Sequence, residues 1–191
     1  MNVLLIGPPG SGKGTQGKRL ADLLSIEHLA TGDLLRAEVD AGTELGRKAA
    51  AIMADGELVP DDVIIDLVMP KVRRAAERNG YLLDGFPRSV DQAVEARRLA
   101  EEYDATPDAV VYLDVPRDEL KRRILARAQS EGRVDDNEET VENRLRVFDE
   151  ATAPLVDYYR DRGLLQIIDA ARTEDEVTES ILAVLGSPPK N

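Results

Sequence analysis

Short apolar runs alternate along the chain with longer segments in which apolar residues recur at helical spacing. The runs are bounded by Gly, Pro or acidic residues, which is typical of β-strands buried on both faces of a sheet. They lie at residues 3–6, 27–30, 81–84, 110–113 and 164–168. Because a helical segment separates each run from the next, the pattern predicts an α/β fold in which helices cover both faces of a five-stranded parallel sheet.

The first helical segment opens at Lys13, directly after the first strand. The others are predicted at 34–41, 45–54, 61–78, 89–102, 116–128, 137–162 and 173–185. The two between 34 and 54 are small and rich in alanine, so they offer little apolar surface and predict an excursion from the core. Two other segments contain proline, as Pro70 and Pro154, and Pro70 is expected to kink its helix.

A glycine-rich loop joins the first strand to the first helix, with the sequence GPPGSGKGT at residues 7–15. Glycine takes positive φ and lets backbone N–H groups approach a ligand, and the start of a helix attracts anions. A lysine in this place can reach the β- and γ-phosphates of a nucleotide. The arrangement predicts a phosphate-binding P-loop. Its binding residues are expected to be Gly10, Ser11, Gly12, Lys13, Gly14 and Thr15.

The residue after the loop lysine is Gly14, where the general motif has a Ser or Thr that helps to hold Mg²⁺. The metal is therefore expected to need a carboxylate from another segment. Asp84 is the candidate because it ends a buried strand, and ligands of parallel sheets bind beyond the carboxyl ends of the strands. Mg²⁺ keeps several waters, so one carboxylate is sufficient, either directly or through water.

Acidic residues outnumber basic ones by 37 to 25, and the formal net charge is −12. An acidic surface argues against binding to nucleic acid or to a membrane, and it also repels a polyphosphate. A nucleotide site must therefore gather its own cations, and arginine suits bidentate phosphate recognition. The arginines expected near the functional edge of the sheet are Arg36, Arg88, Arg123, Arg127, Arg133 and Arg144.

The chain has no cysteine, which excludes disulfides and Cys-based zinc sites and fits a reducing compartment. No apolar run approaches the ~20 residues that span a bilayer. The apolar run at the start leads into the glycine loop, so we interpret it as a strand and not as a signal peptide. These features predict a cytoplasmic protein.

Five separated motifs together resemble the adenylate kinases, a family of nucleoside monophosphate kinases. They are GPPGSGKGTQ at 7–16, TGDLLR at 31–36, LDGFPR at 83–88, RVDD at 133–136 and TAPL at 152–155. The resemblance covers nearly the whole chain, and Gly14 is the family's own variant of the P-loop. It implies the reversible reaction MgATP + AMP ⇌ 2 ADP, with Mg²⁺ and without zinc.

The resemblance also implies the site residues. Besides the P-loop residues 10–15, the ATP site would include Arg123, Arg127 and the backbone near Arg172. The AMP site would include Thr31, Arg36, Glu57, Leu58, Val59, Gly85, Phe86, Pro87, Arg88, Gln92, Arg133 and Arg144. Lys13, Arg88, Arg127, Arg133 and Arg144 would act on the transferring group, and Asp84 would hold Mg²⁺ through water.

The chain is expected to form a single kinase domain over 1–191. Within it, 30–59 would be the AMP-binding subdomain and 126–136 a short lid that carries Asp135 and Asp136. The core would comprise 1–29, 60–125 and 137–191. The lid has neither the inserted length nor the four cysteines of the larger members of the family, which argues against a large lid motion. We expect a monomer.

Two other functions remain open. A UMP/CMP kinase would use the same chemistry. Thr31 and Gln92 favour adenine, however, because UMP/CMP kinases resemble a sequence pattern with Ala at the position of Thr31. A nucleotide-dependent switch is the second alternative, although no Asn-Lys-x-Asp guanine signature occurs in the chain. The only histidine, His28, is expected to be structural.

Overall fold

A parallel sheet of five strands forms the centre of the protein, whose structure, a computed structural model, describes residues 1–55, 57–131 and 138–186. The strands are β1 (Asn2–Ile6), β2 (Glu27–Ala30), β3 (Tyr81–Asp84), β4 (Ala109–Asp114) and β5 (Leu165–Asp169). Their order is β2-β3-β1-β4-β5, and every hydrogen-bonded pair is parallel. The predicted α/β fold is confirmed, and it is that of a P-loop NTPase.

Helices lie between the strands as the hydrophobic periodicity predicts. They are α1 (Lys13–Leu24), α2 (Thr31–Asp40), α3 (Glu44–Ala54), α4 (Asp61–Ala76), α5 (Val90–Glu102), α6 (Arg117–Glu131), α7 (Glu138–Val147), α8 (Leu155–Arg160) and α9 (Glu174–Leu185). The last begins with the capping box of Thr173 and Glu176. No helix in the described ranges is long and apolar enough to cross a membrane.

The two faces of β1 belong to different cores. Leu4 and Ile6 pack with residues of α4 and α5 on one side of the sheet. Val3 and Leu5 pack with residues of α1, α6 and α9 on the other side. All four side chains are at most 5% exposed, which explains why this strand is a continuous apolar run rather than an alternating one.

Three of the predicted helix boundaries need correction. Helix α2 begins at Thr31 and not at 34, so residues 31–33 form its first turn. Helix α6 continues to Glu131, beyond the predicted end at 128 and into the expected lid. The remainder of that lid, 132–136, lies outside the described residues. Helix α4, which contains Pro70, ends at Ala76 and not at 78.

The long helix predicted at 137–162 is not one helix. After α7 comes a π-helical turn, Phe148–Thr152, and α8 follows Pro154. The backbone N–H of Ala153 donates to the carbonyl of Phe148, five residues back, at 2.9 Å. Pro154 has no N–H and its ring would crowd the carbonyl four residues earlier, so a regular α-helix cannot continue through this position.

Helices α2 and α3 are the two small Ala-rich segments that were predicted to form an excursion. They approach each other closely at Gly46, where a Cβ would lie 2.0 Å from the carbonyl oxygen of Glu38. Thr43 caps α3, since its hydroxyl accepts from the N–H of Gly46 at 3.0 Å. Close backbone packing at Gly46 therefore joins the two helices, and Leu35 and Ala49 anchor them in the core.

Candidate active site

The main cleft of the described structure, about 1020 Å³ in volume, lies at the carboxyl edge of the sheet. We call it the cleft. Its floor is the glycine loop after β1, and the ends of β2 and β3 form one wall. Helices α6 and α7 contribute arginines from the opposite side. The residues that the sequence places at the strand ends therefore meet around one space, as expected for a parallel sheet.

The glycine loop has the backbone geometry of an anion cradle. Gly10 and Gly12 have φ values of 82° and 93°, and Gly12 is the residue that precedes the first turn of α1. A Cβ on Gly10 would also lie 2.8 Å from Cγ1 of Ile124. Only glycine combines this φ with this close approach, so the loop can present its N–H groups at the start of a helix.

Lys13 lies within the loop, where its Nζ donates to the carbonyl oxygens of Gly7 at 2.7 Å and Pro8 at 2.9 Å. Burial lowers the pKa of Lys13 to about 8, while Asp84 opposes the shift and the neighbouring Arg88, Arg144 and Arg127 add to it. A bound anion would relieve this repulsion among cations. Lys13 is thus positioned to exchange its two carbonyl partners for phosphate oxygens.

Two buried hydroxyl groups around the cleft have no hydrogen-bond partner within the described part of the chain. They are the Oγ of Ser11, in the glycine loop, and the Oγ1 of Thr31, the first residue of α2. Both residues are at most 2% exposed. Because a buried polar group without a partner is costly, a ligand that supplies the missing bond would be favoured at each place.

Asp84 lies at the end of β3 and lines the cleft. Burial raises the pKa of its carboxyl, and the nearby Lys13, His28 and Arg88 partly offset that effect. Its Oδ2 is 4.0 Å from Nε2 of His28. A carboxylate beside the glycine loop suits Mg²⁺, which takes few protein ligands and completes its shell with water and phosphate oxygens.

Arg88 is fixed at the end of the loop that follows β3. Its Nε donates to the carbonyl of Gly85 at 2.8 Å, and its backbone N–H donates to Oε1 of Gln92 at 2.7 Å. The hydroxyl of Thr152 donates to the carbonyl of Arg88 at 2.7 Å. The peptide bond between Phe86 and Pro87 is cis. Three segments therefore position this one arginine.

A small pocket of about 70 Å³ adjoins the cleft between α2, α4 and the loop after β3. We call it the small pocket. Three arginines line both the cleft and the small pocket: Arg36, Arg88 and Arg144. Thr31, Glu57, Leu58, Val59 and Gln92 complete its walls. Arginines shared by two adjoining spaces can bind anionic groups that approach from either space.

Comparisons of the sequence with known protein families and known proteins agree with this geometry. The adenylate kinase family profile matches residues 5–164. Adenylate kinases of Xanthomonas campestris pv. campestris (strain 8004) and Xanthomonas oryzae pv. oryzae (strain MAFF 311018) are each 47% identical over 186 residues, which cover 97% of this chain and 100% of the relative. The chain belongs to the adenylate kinase family. The adenylate kinase of Stenotrophomonas maltophilia (strain R551-3) is 45% identical over 185 residues, 97% of this chain and 99% of the relative.

Membership of the adenylate kinase family makes the protein a nucleoside monophosphate kinase, and most of the expected site residues line the two spaces. The cleft contains residues 10–15 of the glycine loop together with Asp84, Pro87, Arg123, Arg127 and Arg172. Arg123 donates to the carbonyl of Ala170 at 3.0 Å, and Arg172 donates to Oγ of Ser180 at 3.0 Å. Helix α6 and the segment after β5 are thereby joined at the edge of the cleft.

Two of the expected site residues need separate mention. The side chain of Phe86 is 1% exposed and packs in the core with Leu4 and Leu83, so it faces neither the cleft nor the small pocket. Arg133 lies outside the described residues. The other arginines that were expected to act on the transferring group, Arg88, Arg127 and Arg144, all line the cleft.

Some residues around the site have no signal in the sequence. Asn143 donates to the carbonyl of Asp55 at 2.7 Å and to Oε1 of Glu57 at 3.0 Å, so α7 is joined to the end of the α2–α3 excursion. Asp61 accepts from Nε2 of Gln92 at 2.6 Å. In the sequence, Asp61 is indistinguishable from an ordinary acidic residue in the first turn of a helix, and Asn143 from a solvated helical residue.

Proposed function

We propose that the cleft carries out the reaction MgATP + AMP ⇌ 2 ADP, with ATP over the glycine loop, the base of AMP at the small pocket and the phosphate of AMP at the arginines shared with the cleft. One observation supports it most strongly: Arg88, Arg144 and Arg36 line both spaces. A hydrolase needs one nucleotide site and a water, whereas a transferase between two phosphates needs two sites that meet. Arginines at the junction would neutralise the phosphoryl group as it passes from one to the other.

The half of the site that would bind the phosphoryl donor, ATP, consists of residues 10–15. We propose that their backbone N–H groups bind the phosphates of ATP and that Lys13 moves from the carbonyls of Gly7 and Pro8 onto the β- and γ-phosphates. Arg123 and the backbone near Arg172 would border the base. The hydroxyl of Ser11, buried without a partner among the described residues, supports this assignment because it can donate to a phosphate oxygen.

The acceptor half is the small pocket together with the loop after β3. We propose that Thr31 and Gln92 contact the adenine, that the backbone at 57–59 borders it, and that Arg36 and Arg88 bind the α-phosphate of AMP. The unpartnered Oγ1 of Thr31 supports a polar ligand here. Gly85, with a φ of 81°, allows the chain to turn between Asp84 and Arg88 without a Cβ in the way.

Asp84 is the residue that would hold Mg²⁺, through bound water. In this proposal Asp84 supplies one carboxylate and the nucleotide supplies phosphate oxygens; within the described ranges no group of three or more His, Asp or Glu side chains is placed to hold a metal ion. That suits Mg²⁺, which commonly binds through one or two carboxylates and substrate phosphates. When bound, the ion supplies neutralisation of charge on the β- and γ-phosphate oxygens.

No side chain needs to act as a general base under this proposal. Lys13, Arg88, Arg127 and Arg144 position the two nucleotides and stabilise the charge of the transferring group, and Arg133 is expected to join them. The arginines must also exclude water, since an open cleft would allow ATP to be hydrolysed. We further propose that the protein acts as a monomer in the cytoplasm.

The proposal is tested by steady-state kinetics with MgATP and AMP, CMP or UMP as the acceptor. We expect the highest kcat/KM with AMP and formation of two ADP per turnover. A preference for CMP or UMP would make the protein a pyrimidine nucleotide kinase instead. Binding of ATP without transfer to any of the three acceptors would refute the proposal and favour a nucleotide-dependent switch.

A further inference from the structure

The side-chain amide of Gln92 is held at both ends in the wall of the small pocket. Its Oε1 accepts from the backbone N–H of Arg88 at 2.7 Å, and its Nε2 donates to Oδ1 of Asp61 at 2.6 Å. Gln92 is 2% exposed, whereas Asp61 is an exposed residue at the start of α4. A residue outside the pocket therefore bonds to an amide that lines it.

These two bonds determine which way the amide faces. In the opposite orientation Nε2 would meet the N–H of Arg88, donor against donor, and Oε1 would meet the carboxylate of Asp61, acceptor against anion. Both contacts would be repulsive, so only one orientation satisfies the two partners. The contact with Asp61 is the stronger constraint of the two, because hydrogen bonds to ionised groups are about twice as strong as neutral ones.

A fixed amide leaves a fixed pattern for a ligand. One hydrogen of Nε2 is used by Asp61 and one lone pair of Oε1 by Arg88, so one N–H and one lone pair remain. Adenine offers the complement, an amino group that donates beside a ring nitrogen that accepts, and glutamine amides bind adenine in this way. Hypoxanthine, which has an oxo group beside a protonated ring nitrogen, offers the reverse order and would require the flipped amide.

We propose that Asp61 is a positioning residue for base selection: it holds the amide of Gln92 so that the acceptor pocket favours a 6-amino purine over a 6-oxo purine. The inference rests on the proposed function, because it takes the small pocket as the AMP site. Asp61 does not touch the base. It acts through Gln92, and its loss should change the choice between substrates more than the affinity for both.

The neighbouring residue provides a matched control. Asp61 and Asp62 are both acidic residues in the first turn of α4, so each contributes the same charge to the helix N-terminus. Both are exposed, but only Asp61 bonds to Gln92. The substitutions Asp61→Asn and Asp62→Asn remove the same charge with the same change of shape. A difference between the two variants therefore reports the contact with Gln92.

The experiment measures the dissociation constants of AMP and IMP by calorimetry, and kcat/KM for both with MgATP, in the wild type and the two variants. In Asp61→Asn the new side-chain amide can rotate and donate to a flipped Gln92, which removes one of the two repulsive contacts. We expect the preference for AMP over IMP to fall about tenfold, which is the effect of one charge-assisted hydrogen bond. Asp62→Asn should keep the wild-type preference.

Two results would overturn the inference. One is an equal loss of affinity for AMP and IMP in Asp61→Asn, which would make Asp61 merely structural. The other is the same change of preference in both variants, which would assign it to the helix charge. Should Asp61→Asn fold poorly, Asp61→Ala, which offers neither donor nor acceptor, must still lower the preference. Failure of the wild type to bind AMP would refute the proposed function itself and is a distinct result.

Discussion

The substitution Arg88→Ala tests the junction between the two nucleotide spaces most directly. It removes a guanidinium that lines both the cleft and the small pocket. It leaves the two backbone contacts of the residue in place, which are the N–H to Oε1 of Gln92 and the carbonyl to the hydroxyl of Thr152. The surrounding loop should therefore keep its conformation, and the perturbation is confined to the cation.

The effects on catalysis and on stability should differ greatly. An arginine that stabilises a transferring phosphoryl group contributes about 10³–10⁵ to the rate, so we expect kcat to fall by about 10³. That corresponds to about 4 kcal/mol of transition-state stabilisation. For stability, the bond from Nε to the carbonyl of Gly85 is lost, which costs about 1 kcal/mol. Relief of the repulsion between Arg88 and Lys13 partly offsets it.

The assay is coupled steady-state kinetics with MgATP and AMP, combined with urea unfolding followed by circular dichroism. Arg97→Ala is the control, since Arg97 is exposed on α5, pairs with Glu101 at 2.8 Å and lines neither nucleotide space. It should leave kcat unchanged. A decrease of less than about tenfold in kcat for Arg88→Ala, or a loss of several kcal/mol in the free energy of unfolding with turnover intact, would show that Arg88 is structural.

Three further predictions concern Lys13. Lys13→Met should abolish turnover while the protein remains folded, and retained phosphoryl transfer would contradict the role of this residue. Because the pKa of Lys13 is lowered to about 8, kcat/KM for ATP, which reports the free enzyme, should fall as the pH rises above about 8, whereas kcat should persist to higher pH because bound phosphates favour the charged amine. Between pH 8 and the unfolded pKa of 10.5, Lys13 is protonated in the unfolded chain but largely neutral in the folded protein. The contribution of Lys13 to the free energy of unfolding should therefore rise with pH over this range. The pH profiles of ATP kinetics and of urea unfolding test the predicted fall in kcat/KM and the predicted rise in stability.

The elements of the fold could be predicted because their signals are local. The apolar run of β1 and the glycines after it depend on neighbouring residues and on backbone φ, and the structure has both where the sequence indicates them. The prediction of one helix over 137–162 was wrong because it relied on hydrophobic periodicity alone. Periodicity reports the face of a helix, but it does not report that the chain changes to a π-helical turn before Pro154.

The residues of the site could be predicted from the sequence only in part. Residues next to the ends of strands, such as Asp84, could be expected at the cleft because parallel strands end at one edge. The inward direction of Phe86 could not, since its neighbours Gly85 and Pro87 both line the cleft. Contacts between distant segments, such as Asn143 with Glu57, leave no periodic trace in either segment.

The sequence by itself determined that this chain has a P-loop on a parallel sheet, together with arginines and one carboxylate suited to a nucleotide. These follow from spacing and from residue chemistry within short segments. Only the tertiary structure decided that Arg88 and Arg144 line two spaces at once and that Asp61 holds the amide of Gln92. Those relations join residues 31 to 56 positions apart, and their distances exist only after the helices have packed on the sheet.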